Sequence, residues 1–479
     1  MRNCLFISFL FLTALVSYAQ DSTFQYKASL ALAGSTGQSS FWMHANQNGV
    51  VPLNGSFISG QFAAYKIYNP NNPRIFQWSA GAELITNYGK SGLGKTGDYF
   101  FTDLYVVGKI GPIEFLAGQK KSMTGLVDTL LTSGSLAVSG NARPIPGFNI
   151  SIANFLPLGF TNDLVSVKAS YADGRLGGSK IAYGSTSYVP NTYFHQKSLY
   201  FRIGSTDNRL KIYTGINHQA IWGGENELAP VNHLSTLNAY WYVISGKTLD
   251  YRKVGTHFGT IDLAGEWKGS NWNYFFYRQN IYDTGSLFKA NNFVDGLNGF
   301  RVKRIKPLSR KETYFAVNSF LLEVIGTQNQ TNNSPLSNLA IFEKGDYFNS
   351  YIYSRGWSYN DASIGTALIT SQNLTDSDLP RNKTKFTNNN RSWVFHSGIT
   401  ASWLNTNFLF KGTYSRNFGT YINPFDAVKQ QVSIQLSAEK KMKFLINGTF
   451  FASFYSDIGK LYPNSASLLL GYRKSGMFL

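Results

Sequence analysis

Beyond residue 19, no uncharged apolar run in this chain approaches the roughly 18 residues that a membrane helix requires, yet apolar and polar side chains alternate along most of its length. A period of two puts successive side chains on opposite faces of a strand. Phe76, Trp78, Ala80, Ala82 and Leu84 share one side, with Gln77, Ser79, Gly81 and Glu83 on the other. Ile261, Leu263, Gly265 and Trp267 alternate with Asp262, Ala264 and Glu266, the segment 268–271 turns, and Trp272, Tyr274 and Phe276 return opposite Asn273, Phe275 and Tyr277. This is a hairpin signature. Three more hairpins are expected, at 199–216 around the turn 205–209, at 399–414 around Asn405-Thr406, and at 432–454 around Lys440-Lys441. Tyr, Trp and Phe crowd the strand ends, as in the aromatic girdle of a membrane interface.

These hairpins, with short turns at one end and longer links at the other, predict an all-β chain: a transmembrane antiparallel up-and-down β-barrel of about 16–18 strands, with short helical or plug elements. The alternative on periodicity alone is a secreted, soluble β-rich protein. Charged residues make up 15% and aromatics 16% of the 479 residues. That is too sparsely charged and too aromatic for a disordered chain.

Residues 1–19 read as a secretory signal peptide, with Arg2 as n-region, Leu5 to Val16 as apolar core and Ser17-Tyr18-Ala19 as the cleavage site. The only cysteine, Cys4, falls inside this leader, so the mature chain, residues 20–479, is expected to be a single barrel domain without thiols. Removing Arg2 with the leader lowers the formal net charge from +18 to +17.

Two stretches depart from the alternation. Leu126 to Val138 is expected to hold a short helix, and it leads into Pro144 and Pro146, which cannot sit in a central strand. Pro335 to Phe342 is a second short-helix candidate. Both are expected inside the lumen or capping it. The polar links Gln328–Asn338 and Thr370–Arg391 are expected outside the cell.

Chemistry is sparse. None of the six histidines has a His or Cys at metal-ligand spacing, and neither a nucleophile elbow nor a phosphate-binding loop occurs. Glu225 and Glu227 could suit glycoside hydrolysis only if they flanked a cleft; two residues apart on a loop, they read as solvated. No metal, cofactor or catalytic activity is expected. Asn217, His218, Gln219 and Trp222 form the most suggestive cluster: amide, imidazole and indole groups can bond hydroxyls while an aromatic face packs on sugar C–H groups. On a strand, Asn217 and Gln219 share one face and His218 the other. The alternative role for the cluster is a lumen network that holds the barrel together. Arg143 is a candidate either for contact with an acidic glycan or for a structural salt bridge.

The segments Phe41-Trp42-Met43-His44-Ala45-Asn46-Gln47-Asn48-Gly49, Gly134-Ser135-Leu136 with Ser139 to Gly147, His195 to Tyr200, and Asn217 to Gly224 occur in an order that resembles the Wzi-like capsule assembly family of Bacteroidetes. The likeness runs from about residue 28 to the C-terminus. It departs at Ser40, where a proline often stands, and at the end, where the terminal aromatic is the penultimate Phe478. The resemblance implies a monomeric outer-membrane barrel of a Gram-negative bacterium, with about 18 strands, a periplasmic helical element and a closed lumen. It further implies lectin-like binding in the surface attachment of capsular polysaccharide. The positive charge favours anionic partners, an acidic polysaccharide and lipopolysaccharide phosphates among them; nucleic acid is not expected to meet a secreted barrel. The competing function is an outer-membrane porin or solute transporter, which needs an open lumen.

Overall fold

The computed structural model describes residues 23–477 except 54, 70–71, 73, 92–93, 231–232, 250–251, 284–291, 306–314, 331–344 and 443–446. The expected leader and the expected helix at Pro335–Phe342 lie outside the described residues.

The described residues form one sheet of 18 antiparallel strands. These are β1 (Phe24–Ser35), β2 (Phe57–Lys66), β3 (Phe76–Ser91), β4 (Gly94–Ile110), β5 (Ile113–Gln119), β6 (Gly147–Pro157), β7 (Val165–Lys180), β8 (Tyr188–Ile203) and β9 (Leu210–Trp222). They continue as β10 (Thr256–Lys268), β11 (Trp272–Asp283), β12 (Gly296–Arg304), β13 (Ala316–Gly326), β14 (Ser392–Trp403), β15 (Thr406–Gly419), β16 (Pro424–Met442), β17 (Gly448–Gly459) and β18 (Ser465–Met477). Each strand pairs with its neighbours in the chain, and β1 also pairs with β18, so that Ala33 lies opposite Phe57 on one side and Leu469 on the other. Closure leaves no unpaired sheet edge, which is the condition for crossing lipid with strands.

The alternation is polar inside and apolar outside. Leu30, Phe62, Val106, Ile212, Ile216, Leu263 and Leu322 are exposed on the outer face, while Glu83, Asp262, Gln279 and Glu323 on the opposite face are buried. Exposed Phe76, Trp78, Trp267, Tyr274 and Trp403 ring the end that carries the short turns. The hairpin expected around Lys440-Lys441 is corrected: both lysines are in β16, paired with Phe450 and Thr449, and the ladder runs on to Met442 opposite Gly448. The positive charge there did not break the strand because Phe450 and its neighbours continue the pairing on the partner side.

Long connections gather at the other end: 36–56, 120–146, 223–255 and 327–391. Parts of three of them fold into the barrel. Phe41, Trp42 and Met43 of a one-turn helix α1 (Phe41–His44), Leu131 and Leu136 of the 120–146 segment, and Tyr347, Phe348, Trp357, Ile364 and Ile369 of the last connection form one buried core with inward wall residues. These segments therefore fill much of the lumen.

The helix expected at Leu126–Val138 does not form. Its backbone N–H groups are taken by wall side chains instead of by carbonyls one turn back: Leu126 N donates to Asp262 Oδ2 at 2.9 Å, Ser133 N to Glu323 Oε2 at 2.7 Å and Leu136 N to Gln279 Oε1 at 3.0 Å. Gly125 at φ 132° and Gly134 at φ 120° hold conformations outside the helical region. A Cβ on Gly125 would stand 2.3 Å from Gln279 Nε2, so the plug approaches the wall at a contact only glycine allows. Pro144 and Pro146 precede β6, where their missing N–H groups break no ladder bond.

Candidate functional site

Barrels of this type have short turns on the periplasmic side and longer loops outside the cell. That orientation puts the start of β1 and the end of β18 at the periplasmic side and the plug-forming connections at the extracellular end.

The sequence candidates do not converge. Arg143, in the segment that enters β6, donates from Nη2 to Asp98 Oδ2 at 2.9 Å, and its guanidinium lies 3.4 Å from the Phe100 ring centroid. Asn217 and Gln219 face the lumen and are buried, with Asn217 Oδ1 accepting from Gln196 Nε2 at 2.9 Å. His218 and Trp222 lie on the opposite face of β9, the face that exposes Ile212 and Ile216 lower down.

That outer face is covered by an element the sequence reading missed, helix α3 (Thr236–Ser245). Ser235 caps it by accepting from Asn238 N, and Gly246 ends it at φ 67°. Ala239 and Val243 pack with Ala220, Trp222, Leu234 and Val254 in a small core separate from the lumen, while Leu237 and Trp241 point away from the barrel. Polar groups hold the helix to the wall. Tyr240 Oη donates to Asp173 Oδ2 at 2.7 Å, Asp173 Oδ1 meets His195 Nδ1 at 2.9 Å, and Lys197 Nζ donates to Ile244 O at 2.5 Å. His257 Nε2 donates to Val254 O at 2.9 Å, which leaves His257 Nδ1 to accept from His218 Nε2 at 2.9 Å. His218 and Trp222 thus sit under α3 and take no place in a luminal surface. The Ser-x-x-Asn start and Gly246 were legible capping signals.

Glu225 and Glu227 lie in the short helix α2 (Glu225–Leu228). Glu225 Oε1 accepts from Gly223 N at 2.8 Å, and burial pushes its carboxyl above the usual range. Its carboxylate serves the local backbone; Glu227 is exposed.

The feature best placed to meet a surface ligand is a cleft of about 600 Å³ at the extracellular end, between the last turn of β7 and the 345–391 connection. Lys180, Arg355, Arg381, Lys383 and Lys385 line it, with Asp361 as the single carboxylate. Arg355 is fixed by bonds from Nη1 to Leu176 O at 2.7 Å and from Nη2 to Gly178 O at 2.5 Å. Lys385 pairs with Asp346 at 2.9 Å. The ammonium groups of Lys180 and Lys383 make no hydrogen bond or ion pair with any described residue. Ser354, Ser358, Gln372 and Asn373 add hydroxyl and amide groups to the lining. Such a surface attracts anions and bonds hydroxyls. Among the described residues no group of three or more His, Cys, Asp or Glu could hold a metal ion. One signal for the cleft stood in the sequence: Arg381-Asn382-Lys383-Thr384-Lys385 carries three cations in five residues. Lys180 and Arg355 reach it only through the fold.

No family model matches this chain, and no curated protein matches its sequence. Among solved structures, the chain resembles Wzi of Escherichia coli, described as an outer membrane protein involved in group 1 capsule assembly and a carbohydrate-binding β-barrel. The TM-score is 0.59 at 14% identity, covering 93% of this chain and 84% of that one. Pseudomonas aeruginosa OccD3 matches at TM-score 0.45 and 9% identity, covering 95% of this chain and 91% of that one. P. aeruginosa OprD matches at TM-score 0.45 and 8% identity, covering 96% and 99%. The likeness to Wzi is one of fold. Together with the closed wall and its apolar outer belt, it makes this chain an outer-membrane β-barrel of a Gram-negative bacterium.

Proposed function

We propose that the protein is a non-enzymatic outer-membrane barrel that holds an acidic polysaccharide at the cell surface, in capsule or exopolysaccharide attachment and assembly. The observation that carries this reading is the extracellular cleft, where five cations face one carboxylate. The largely filled lumen supports it too, because a plug bonded to the wall is a rigid base for a surface site and a poor solute path. The fold likeness to a carbohydrate-binding barrel adds weight. Binding per site is weak, and many copies on one cell retain a long polymer by avidity. The barrel acts as a monomer, and the lipopolysaccharide of the outer leaflet surrounds its apolar belt.

The test is polymer retention on a deletion strain complemented with native protein or with Lys180→Ala/Lys383→Ala. The reading expects the deletion to shed acidic polymer into the medium, native protein to restore retention and the double variant to restore little. Retention unchanged by deletion contradicts it.

A further inference from the structure

A second cavity, of about 330 Å³, lies inside the barrel between the plug segment 120–146 and the inner faces of β5 to β8. Its lining starts at Glu114 and Lys168, which follow the short turns before β5 and β7, and rises to Asn48 and Arg143 beneath the extracellular loops. It is thus a slot along the inner wall whose lower end lies on the periplasmic side. Its volume falls within the roughly 300–1,000 Å³ of small-molecule pockets.

The slot is polar and its positive charge is incompletely neutralised. Four cations line it, Lys120, Lys121, Arg143 and Lys168, with two acidic residues, Glu114 and Asp173, and the Asp173 carboxylate is already taken by Tyr240 and His195. Three of the four are engaged at its margins. Lys121 pairs with Glu83, Arg143 with Asp98, and Lys120 lies 4.8 Å from the Tyr105 ring centroid. Lys168 is different. It points inward from β7, is partly buried, and makes no hydrogen bond, ion pair or ring contact with any described residue. Beside it, Ser170 Oγ and Ser198 Oγ share one hydrogen bond at 2.7 Å, which leaves the pair a hydrogen to donate. Asn149 Oδ1, on the adjoining strand β6, is buried with no partner among the described residues. An ammonium withdrawn from water without a counter-charge is unfavourable, and a bound anion removes that cost while hydroxyl and amide groups recognise the sugar that carries it.

We propose that this slot is an anion site, entered from the periplasm, that takes a sugar unit bearing a carboxylate or phosphate, with Lys168 as its charge partner. It is distinct from the extracellular cleft and stands or falls separately.

The probes are D-glucuronate, glucose 1-phosphate and glucose, titrated calorimetrically into the full-length protein in detergent micelles. Saturable binding of at least one of the two anions, none of glucose, and affinity that falls as salt rises are expected. Which anion binds tells carboxylate from phosphate. Lys168→Met should weaken binding at least tenfold, Lys168→Arg should keep it within a few-fold, and Lys180→Ala/Lys383→Ala should leave it unchanged. Folding of each variant is read from the mobility shift of the unheated barrel on a gel. Access is read in a Cys4→Ser background carrying Ser151→Cys, which places one thiol in the slot. A membrane-impermeant maleimide should label it only after the outer membrane is permeabilised, and the bound anion should slow labelling. Failure of both anions to bind, equal affinity in Lys168→Met, loss in the Lys180/Lys383 variant, or labelling on intact cells overturns the proposal.

Discussion

Glu323 shows how single residues set this structure. It is buried on the inner face of β13 and accepts four hydrogen bonds, from Thr132 Oγ1 at 2.6 Å, Ser133 N at 2.7 Å, Ser133 Oγ at 2.5 Å and Tyr277 Oη at 2.5 Å. Three of those donors belong to the plug. Glu323→Ala strands them all, at about 1–3 kcal/mol for each buried group left unpaired. The expected result is a loss of at least ~3 kcal/mol, seen as a lower thermal midpoint in detergent. Trp42 is the matching plug residue: its indole Nε1 donates to Thr413 Oγ1 at 3.2 Å, and the Lys411 ammonium lies 4.9 Å from its ring centroid. Trp42→Ala should cost about 3–5 kcal/mol as a core truncation, measured in the same way. His44, at the end of α1, is held at about 4 by burial, below its ordinary 6.5. Between those values the unfolded chain binds the proton and the folded one does not, so stability is full above pH 6.5 and falls as pH drops towards 4. His44→Gln should flatten that part of the unfolding-versus-pH curve. A response unchanged by the substitution would show that another group governs it.

At the scale of elements, the wall was legible and the interior was not. The period-two runs located β3, β10, β11, β14 and β15 because each buries one face against the plug and exposes the other to lipid. The plug has no such signature. Its conformation follows from side chains more than a hundred residues away, as in the bonds from Leu126 to Asp262 and from Ser133 to Glu323. Local spacing suggested a helix at Leu126–Val138, and those wall acceptors outcompeted it. Helix α3 was missed for a related reason: its capping residues were present, but the outward polar side chains it covers, Asp173, His195 and Lys197, look in sequence like inward ones. Asn217 and His218 were grouped in one cluster with their opposite faces already given by the strand period; what the sequence did not show is that α3 covers the outer one. Excising residues 129–137 and joining the ends with glycine and serine should open the lumen. Planar-bilayer recordings are expected to show little conductance for native protein and discrete steps for the excised form. Large, constant conductance from native protein would instead favour the porin reading.

The whole molecule is a closed 18-strand wall whose long connections pack against its inner face and gather five cations at the extracellular end. Wall and plug explain why the extracellular cations are held in place: Arg355 is tied to two β7 carbonyls, and Lys385 is anchored by Asp346. Lys180 and Lys383, whose ammonium groups pair with no described residue, then supply long-range attraction that salt weakens over a Debye length of about 8–10 Å. The most direct test is binding of a purified uronic-acid polysaccharide to the purified barrel across a salt series, compared with Lys180→Ala/Lys383→Ala and with a neutral glucan. Binding of the acidic polymer that declines with ionic strength, a drop of at least tenfold in the double variant, and no binding of the neutral chain are expected. Equal binding of neutral and acidic polymers, or an affinity indifferent to both salt and the two lysines, would contradict the proposed function.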